Sequence, residues 1–452
     1  MPLTALDGYA IVLAAVAAYG AILYALHRQG RLGPDKSLSL FGPALMMKTR
    51  RGIPMLERIG RFRRFWTIAA NLGLVLAGAA MVLIIVVLAL DAVVALRVPA
   101  SAAPQVSEAL GIPGLNPIIP IGYGIVALVV GIVLHELMHG VIARSQNIGV
   151  KSVGILWFVV PIGAFVEQDD ASMTSASRRA RGRVAAAGIL ANFGLTVLFF
   201  LLLSASVSSS VTPNASGVGV AYVLPGFPAS NTSLQAGDIV TSVNGTAVSS
   251  NAQLFDVLAN TSVNQSVALT FYSHSAGRSL TESVTLTSAR SYTHDPADAK
   301  RAFLGLSPSF LTPAQIRGEL ANPAGSPYGA LSGVTYWVVL PLAGLEPVQG
   351  STMNYFHVTG PLAPLGPTGF WLLANLLFWL AWMNLLLGLS NALPLVPLDG
   401  GLLFRDFSAW AASRIKRGWD AARIESFSSR AVALSSVCVL LLLVWQFIAP
   451  HL

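Results

Sequence analysis

Long apolar runs alternate along this chain with short stretches dense in arginine and lysine. Six runs approach the roughly 20 residues that a helix needs to cross a hydrocarbon core. They are Tyr9 to Leu26, Trp66 to Leu90, Ile121 to Ala143, Val184 to Ala205, Phe370 to Leu389 and Ala431 to Ile448. The first has neither a basic leader nor a small-residue cleavage site, which reads as a retained helix rather than a signal peptide. Between the fourth and fifth runs the pattern changes. Residues 206–292 are rich in Ser, Thr, Asn and Val and alternate with period two, as in Val267 to Tyr272. That pattern predicts a small, water-facing β-rich domain. Within it Asn244-Gly245 is a tight-turn pair between strands, and Asn251 to Leu258 predicts a helix. The run Tyr336 to Gly344 is short and broken by Pro341, so it predicts a re-entrant or interfacial segment.

Composition strengthens the membrane reading. Of 452 residues, 54% are hydrophobic and 11% charged, against about 25% charged in an ordinary soluble domain. The net charge of +8 does not point to nucleic acid, because the basic residues flank the apolar runs. They concentrate after runs one, three and five, for example at Arg61, Arg63 and Arg64, at Arg178, Arg179, Arg181 and Arg183, and at Arg414, Lys416 and Arg417. With six spans these loops share one side, and the positive-inside rule makes it cytoplasmic. Both termini and the β-rich domain then lie outside a plasma membrane. Sequons at Asn214, Asn231, Asn244, Asn260 and Asn264 fit an exterior domain. Cys438 is the only cysteine, which excludes disulfide frameworks and Cys-rich zinc sites.

The chemistry lies in His135-Glu136-Leu137-Met138-His139, at the end of a run that carries no charge from Ile121 to Leu134. Ionisable groups at membrane depth are costly and functional by default. Positions i and i+4 share a helix face, so His135 and His139 can grip one metal ion. Glu136 sits beside that face as a general base. A catalytic zinc site takes three protein ligands and keeps a fourth position open. Acidic residues in the spans are few, and Asp399 is the outstanding candidate for the third ligand. It follows Asn391, Pro394 and Pro397 at the end of the fifth run, where the prolines break the helix and free backbone carbonyls.

Taken together, His135-Glu136-x-x-His139 in a span and Asn391-x-x-Pro394-x-x-Pro397-x-Asp399-Gly400 resemble the site-2 protease family of intramembrane zinc metalloproteases. Pro161 to Val166 is similar to that family's membrane-associated β loop, and Gly188-x-x-x-Asn192 to its Gly-x-x-x-Asn helix. The family often has Pro where this chain has Ile189. Leu234 to Gly245 resembles the Gly-Asp-x-Ile-x-x-Val-Asn-Gly core of PDZ domains, which capture extended peptides by strand addition. The resemblance spans about Ile121 to Leu403. It implies Zn2+ held by His135, His139 and Asp399, with Glu136 as base and then proton donor to the leaving amine. It further implies Asn192 as an oxyanion donor, and Asn391 and Pro394 as residues that hold the substrate extended. The implied substrates are single-span membrane proteins cut within or near their transmembrane segments.

The expected fold is therefore a polytopic α-helical membrane protein of about six transmembrane helices with an inserted β-rich, PDZ-like extracytoplasmic domain. Its divisions are 1–120 for the first helices and a basic loop, 121–205 for the first part of the catalytic core and 206–292 for the PDZ-like domain. Residues 293–403 carry a linker and the second part of the core, and 404–452 a basic loop and a last transmembrane helix. Two rivals remain open. One is a non-proteolytic membrane scaffold that binds peptides through the PDZ-like domain. The other is a membrane zincin of the prenyl-protease kind, which takes Glu as third ligand; Glu167, placed in a loop, is the nearest downstream Glu.

Overall fold

The computed structural model describes residues 5–33, 36–109, 111–322, 337–338, 341 and 350–452. The re-entrant segment expected at 336–344 therefore falls almost wholly outside the described residues. The chain forms two compact units, residues 1–197 with 380–452, and residues 198–379.

The first unit opens with helix α1 (Ala5–Arg28), which matches the first apolar run. Strands β1 (Leu38–Phe41) and β2 (Ala44–Thr49) follow, then the short helix α2 (Ile53–Gly60) and the long helix α3 (Arg63–Val94). Helix α4 (Ile121–Ser145) carries the His-Glu-x-x-His motif and stops before Asn147, whose φ of 63° is left-handed. Strands β3 (Val150–Phe158) and β4 (Val160–Gln168) form a hairpin, and helix α5 (Arg178–Ser210) follows. The four strands make one antiparallel sheet in the order β1-β2-β3-β4. Tyr19 pins α1 to it: its hydroxyl lies 2.8 Å from the Pro43 carbonyl and accepts from the Leu45 N–H at 3.0 Å. Glu167 lies in β4, not in a loop as expected, and bonds Ser152 at 2.5 Å and Lys48 at 3.1 Å. Burial pushes its carboxyl up, but those hydrogen bonds outweigh burial and hold it below its ordinary value.

The second unit contains the β-rich domain. Its strands are β5 (Val218–Val223), β6 (Ile239–Val243) and β7 (Thr246–Ala247), followed by helix α6 (Asn251–Ala259). Strands β8 (Ser266–Ser273), β9 (Arg278–Thr285) and β10 (Leu306–Pro308) complete it. The six-stranded sheet runs β9-β8-β6-β5-β10, with β7 paired to β6. Its last strand draws on residues beyond the expected limit at 292. That strand is three residues long, too short to leave a period-two pattern in the sequence. Val218, Val240, Leu254, Leu269 and Phe271 fill the core. Asn244 and Gly245 adopt φ of 51° and 75°, as the turn pair requires. Asp238, fully buried, accepts from the backbone of Gln235 at 2.8 Å and of His274 at 2.9 Å. That explains why a carboxylate follows Gly237: it satisfies backbone donors that the tight turn leaves open. The domain is PDZ-like, with α6 beside the sheet where the sequence placed a helix.

The chain re-enters the first unit along helix α7 (Gly366–Asn391), turns through residues 392–398 and continues as α8 (Asp399–Ile415) and α9 (Ala421–Ile448). Helix α8 was not expected; its arginines and Asp406 hide an amphipathic helix inside what reads as a basic loop. Among the described residues five helices are long and apolar enough to cross a membrane: α3, α4, α5, α7 and α9, with their short extensions. Small residues let them approach. Ala77, Ala80, Ala186 and Ala392 form one buried cluster with Ile189, as expected where lipid tails give no hydrophobic drive to association and close backbone contact must do so.

Candidate active site

Helix α4 turns His135 and His139 to one face, with their Nε2 atoms 3.2 Å apart. Asp399, the first residue of α8, brings Oδ2 to 3.2 Å from each of those nitrogens. Two motifs that lie far apart in sequence thus meet at one point. The glycines after Asp399 make this possible. A Cβ on Gly400 would lie 2.3 Å from the Leu393 carbonyl and one on Gly401 2.7 Å from that of Leu395, so only glycine lets α8 start so close to the preceding turn.

The proton positions follow from the partners. His139 Nδ1 lies 2.7 Å from the Val184 carbonyl, an acceptor only, so Nδ1 carries the proton and Nε2 offers a lone pair. His135 Nδ1 meets the side-chain amide of Asn192 at 3.1 Å. The amide nitrogen faces the ring while its buried Oδ1 has no partner. A half-turn of the amide exchanges the two, gives Oδ1 the Nδ1 proton and leaves the Nε2 lone pair inward. Asp399 Oδ2 is likewise buried without a hydrogen-bond donor.

Three acceptor atoms at mutual distances of 3.2 Å repel one another unless a cation lies between them. A tetrahedral ion with bonds of about 2.0–2.1 Å has ligand edges of about 3.3–3.4 Å, which matches this triangle. The residues present fit a zinc-type ion. Glu136 is within the same buried group, its ligand atom within 4.8 Å of those of both histidines. Its Oε2 accepts from the Val166 N–H of β4 at 3.3 Å, which holds it beside the triangle and leaves Asp399 to complete it. Glu167 is bound to Ser152 and Lys48, so it is not offered to the histidines.

Residues 123–435 match the family model described as peptidase family M50. The chain belongs to this family, the site-2 protease family. An uncharacterised protein of Methanocaldococcus jannaschii is 34% identical over 209 residues, 45% of this chain and 53% of that protein. A Do-like serine protease of Lactococcus lactis subsp. cremoris is 40% identical over 83 residues, 18% of this chain and 19% of that protein. The chain thus spans about half the length of the first relative and about a fifth of the second. Among solved structures, the PDZ domain of an SdrC-like protein from Listeria monocytogenes matches at 22% identity and a TM-score of 0.18, over 21% of this chain and 88% of that one. Within the span that matches the family, His135, Glu136 and His139 form a group that could hold a metal ion.

The remaining expected residues are placed differently. Asn192 lies 3.1 Å from His135 Nδ1, on the ring edge away from the triangle, which is the geometry of a positioning contact. Asn391 donates back to the Leu387 carbonyl of its own helix at 3.0 Å. The Pro394 carbonyl is not free: Ser435 Oγ donates to it at 2.6 Å, and Ser436 Oγ accepts from the Val396 N–H at 3.1 Å. The sequence reading missed Ser435 and Ser436, although a polar pair inside an apolar run was the available signal. It also saw the Gly-x-x-x-Asn motif without its cause. A Cβ on Gly188 would lie 2.2 Å from His135 Cε1, so Gly188 admits the imidazole and Asn192, one turn on, grips it.

Proposed function

We propose that this chain is an intramembrane zinc metalloprotease that hydrolyses peptide bonds within or beside the transmembrane segments of single-span, membrane-anchored proteins. The observation that carries the reading is the donor-less triangle of His135, His139 and Asp399, with both histidines on a helix of membrane-crossing length and Asp399 eight residues beyond the end of another. Bound there, zinc supplies Lewis acidity for the scissile carbonyl. Glu136 takes the proton of the attacking water and returns it to the leaving amine. Asn192 and the Val184 carbonyl hold the two imidazoles in the tautomer that presents Nε2. A substrate helix must unwind locally, since its peptide bonds are closed in intrahelical hydrogen bonds; weak helices with Gly, Pro, Asn or Ser inside are favoured. The arginine-rich loops support a site toward the cytoplasmic side of a plasma membrane, with the PDZ-like domain outside.

The test is metal analysis of purified protein beside a peptidase assay in detergent. Glu136→Gln is expected to abolish cleavage with zinc retained, and Asp399→Ala to lose both. Absence of cleavage by the zinc-loaded wild-type protein would leave the peptide-binding scaffold as the better account, and normal turnover by the Glu136 variant would remove Glu136 as the base. Full zinc occupancy and normal turnover in the Asp399 variant would remove Asp399 from the site.

A further inference from the structure

A cavity of about 660 Å³ opens on the first unit, and none of His135, His139 and Asp399 lines it. One wall is α3, with Gly78, Met81 and Ile85; the other is α8, with Leu403, Phe407 and Trp410. Its size lies within the range of about 300–1,000 Å³ typical of small-molecule sites. Its walls are apolar along most of their length, and Phe407 and Trp410 are 59% and 49% exposed. The lining also holds charge: Arg178 and Arg179, in the first turn of α5, and Asp406. Asp406 is already neutralised, because Arg181 holds both its oxygens, at 3.0 and 3.3 Å. The groove therefore carries two exposed cations not balanced by that carboxylate.

We propose that this groove binds an anionic glycerophospholipid, with an acyl chain along α3 and α8 and the phosphate between Arg178 and Arg179. An apolar trough carrying a pair of guanidinium groups matches an amphiphile with a fatty tail and a phosphate head, and guanidinium forks suit phosphate oxygens. Trp410 fits the same placement, because tryptophan sits preferentially at headgroup depth. The arginines begin α5 at the helix end that the charge pattern assigns to the cytoplasmic side, where anionic lipids attract basic segments.

The experiment uses the full-length protein in phosphatidylcholine nanodiscs or mild detergent, titrated with phosphatidylglycerol and, separately, phosphatidylcholine, with bound lipid counted by native mass spectrometry. Phosphatidylglycerol is expected to bind at one saturable site and phosphatidylcholine not to compete. Each arginine near a lipid surface contributes on the order of fivefold, so Arg178→Gln/Arg179→Gln is expected to weaken binding about 30-fold. Gly78→Leu fills the trough; an added Cβ at Gly78 meets nothing within 4 Å, so the fold accepts it. That variant is expected to lose the bound lipid with both arginines in place, and it decides the matter if the arginine variant does not fold. Equal affinity for the two lipids, or undiminished binding in either folded variant, overturns the proposal. A dimer that Gly78→Leu dissociates would assign the groove to a second copy of the chain and overturn it equally.

Discussion

Asn192 separates two roles that its sequence motif alone does not distinguish. In Asn192→Leu the side chain keeps its approximate volume and loses its hydrogen-bonding atoms. Asn192 is fully buried, so no water replaces the lost acceptor and the His135 Nδ1 proton is orphaned. Leaving a buried donor unpaired costs about 1–3 kcal/mol, equivalent to roughly 5- to 150-fold in an equilibrium constant. Independently, loss of the group that orients a ligating histidine lowers metal affinity by about 10–100-fold. The two estimates agree, and Asn192→Leu is expected to weaken zinc binding by about 10–100-fold. Competition against a chromophoric chelator in detergent measures it. Asn192→Asp keeps an acceptor at 3.1 Å from the ring and is expected to retain most of the affinity. An oxyanion donor behaves otherwise: its loss lowers kcat and leaves zinc affinity untouched. Unchanged zinc affinity with a collapsed kcat in Asn192→Leu would refute the positioning role.

Three further outcomes are expected. Gly188→Ala drives a methyl to 2.2 Å from His135 Cε1 and should strip zinc from the site by elemental analysis; Gly194→Ala, where an added Cβ meets nothing within 4 Å, should not. Glu167 has a depressed folded pKa, so its stabilisation of the β2–β3–β4 sheet is complete above the ordinary value of 4.5 and fades as pH falls below it. Protection factors at β3 and β4, corrected for intrinsic exchange, should fall in that acid range, and Glu167→Gln should remove that pH dependence. In a Cys438→Ala background, Ser250→Cys should label from outside the cell and Ser177→Cys only after permeabilisation; labelling of both from one side would overturn the topology.

How much of this was legible in the sequence depended on period and chemistry. Uninterrupted apolar runs announced α3, α4, α5, α7 and α9, because lipid exposure demands nonpolar residues on every face. His135, Glu136, His139 and Asp399 were legible because ionisable groups stand out against that background. Their convergence was inferred from residue type, and the structure supplies the 3.2 Å spacing. What stayed hidden were contacts made by small or backbone groups. The Val184 carbonyl, the Val166 amide and the absent side chain of Gly188 have no signature in a single sequence. Helix α8 was missed because its arginines match the composition of a loop. Strand β10 was missed because non-local pairing, not local pattern, makes three residues a strand.

The two histidines and Glu136 belong to residues 1–197, and Asp399 belongs to 380–452, with an entire unit inserted between them. On the ligand set proposed here this imposes an order on biosynthesis. A nascent chain that has reached Trp379 holds the base and both imidazoles but lacks the carboxylate that closes the site. Throughout insertion of the early spans and folding of the β-rich domain, the polypeptide is an unarmed precursor. The proposed ligand set is complete only when the turn after α7 and the start of α8 have been threaded into place. The connectivity itself then serves as a timer, keeping the proposed centre incomplete among the translocating segments that surround it.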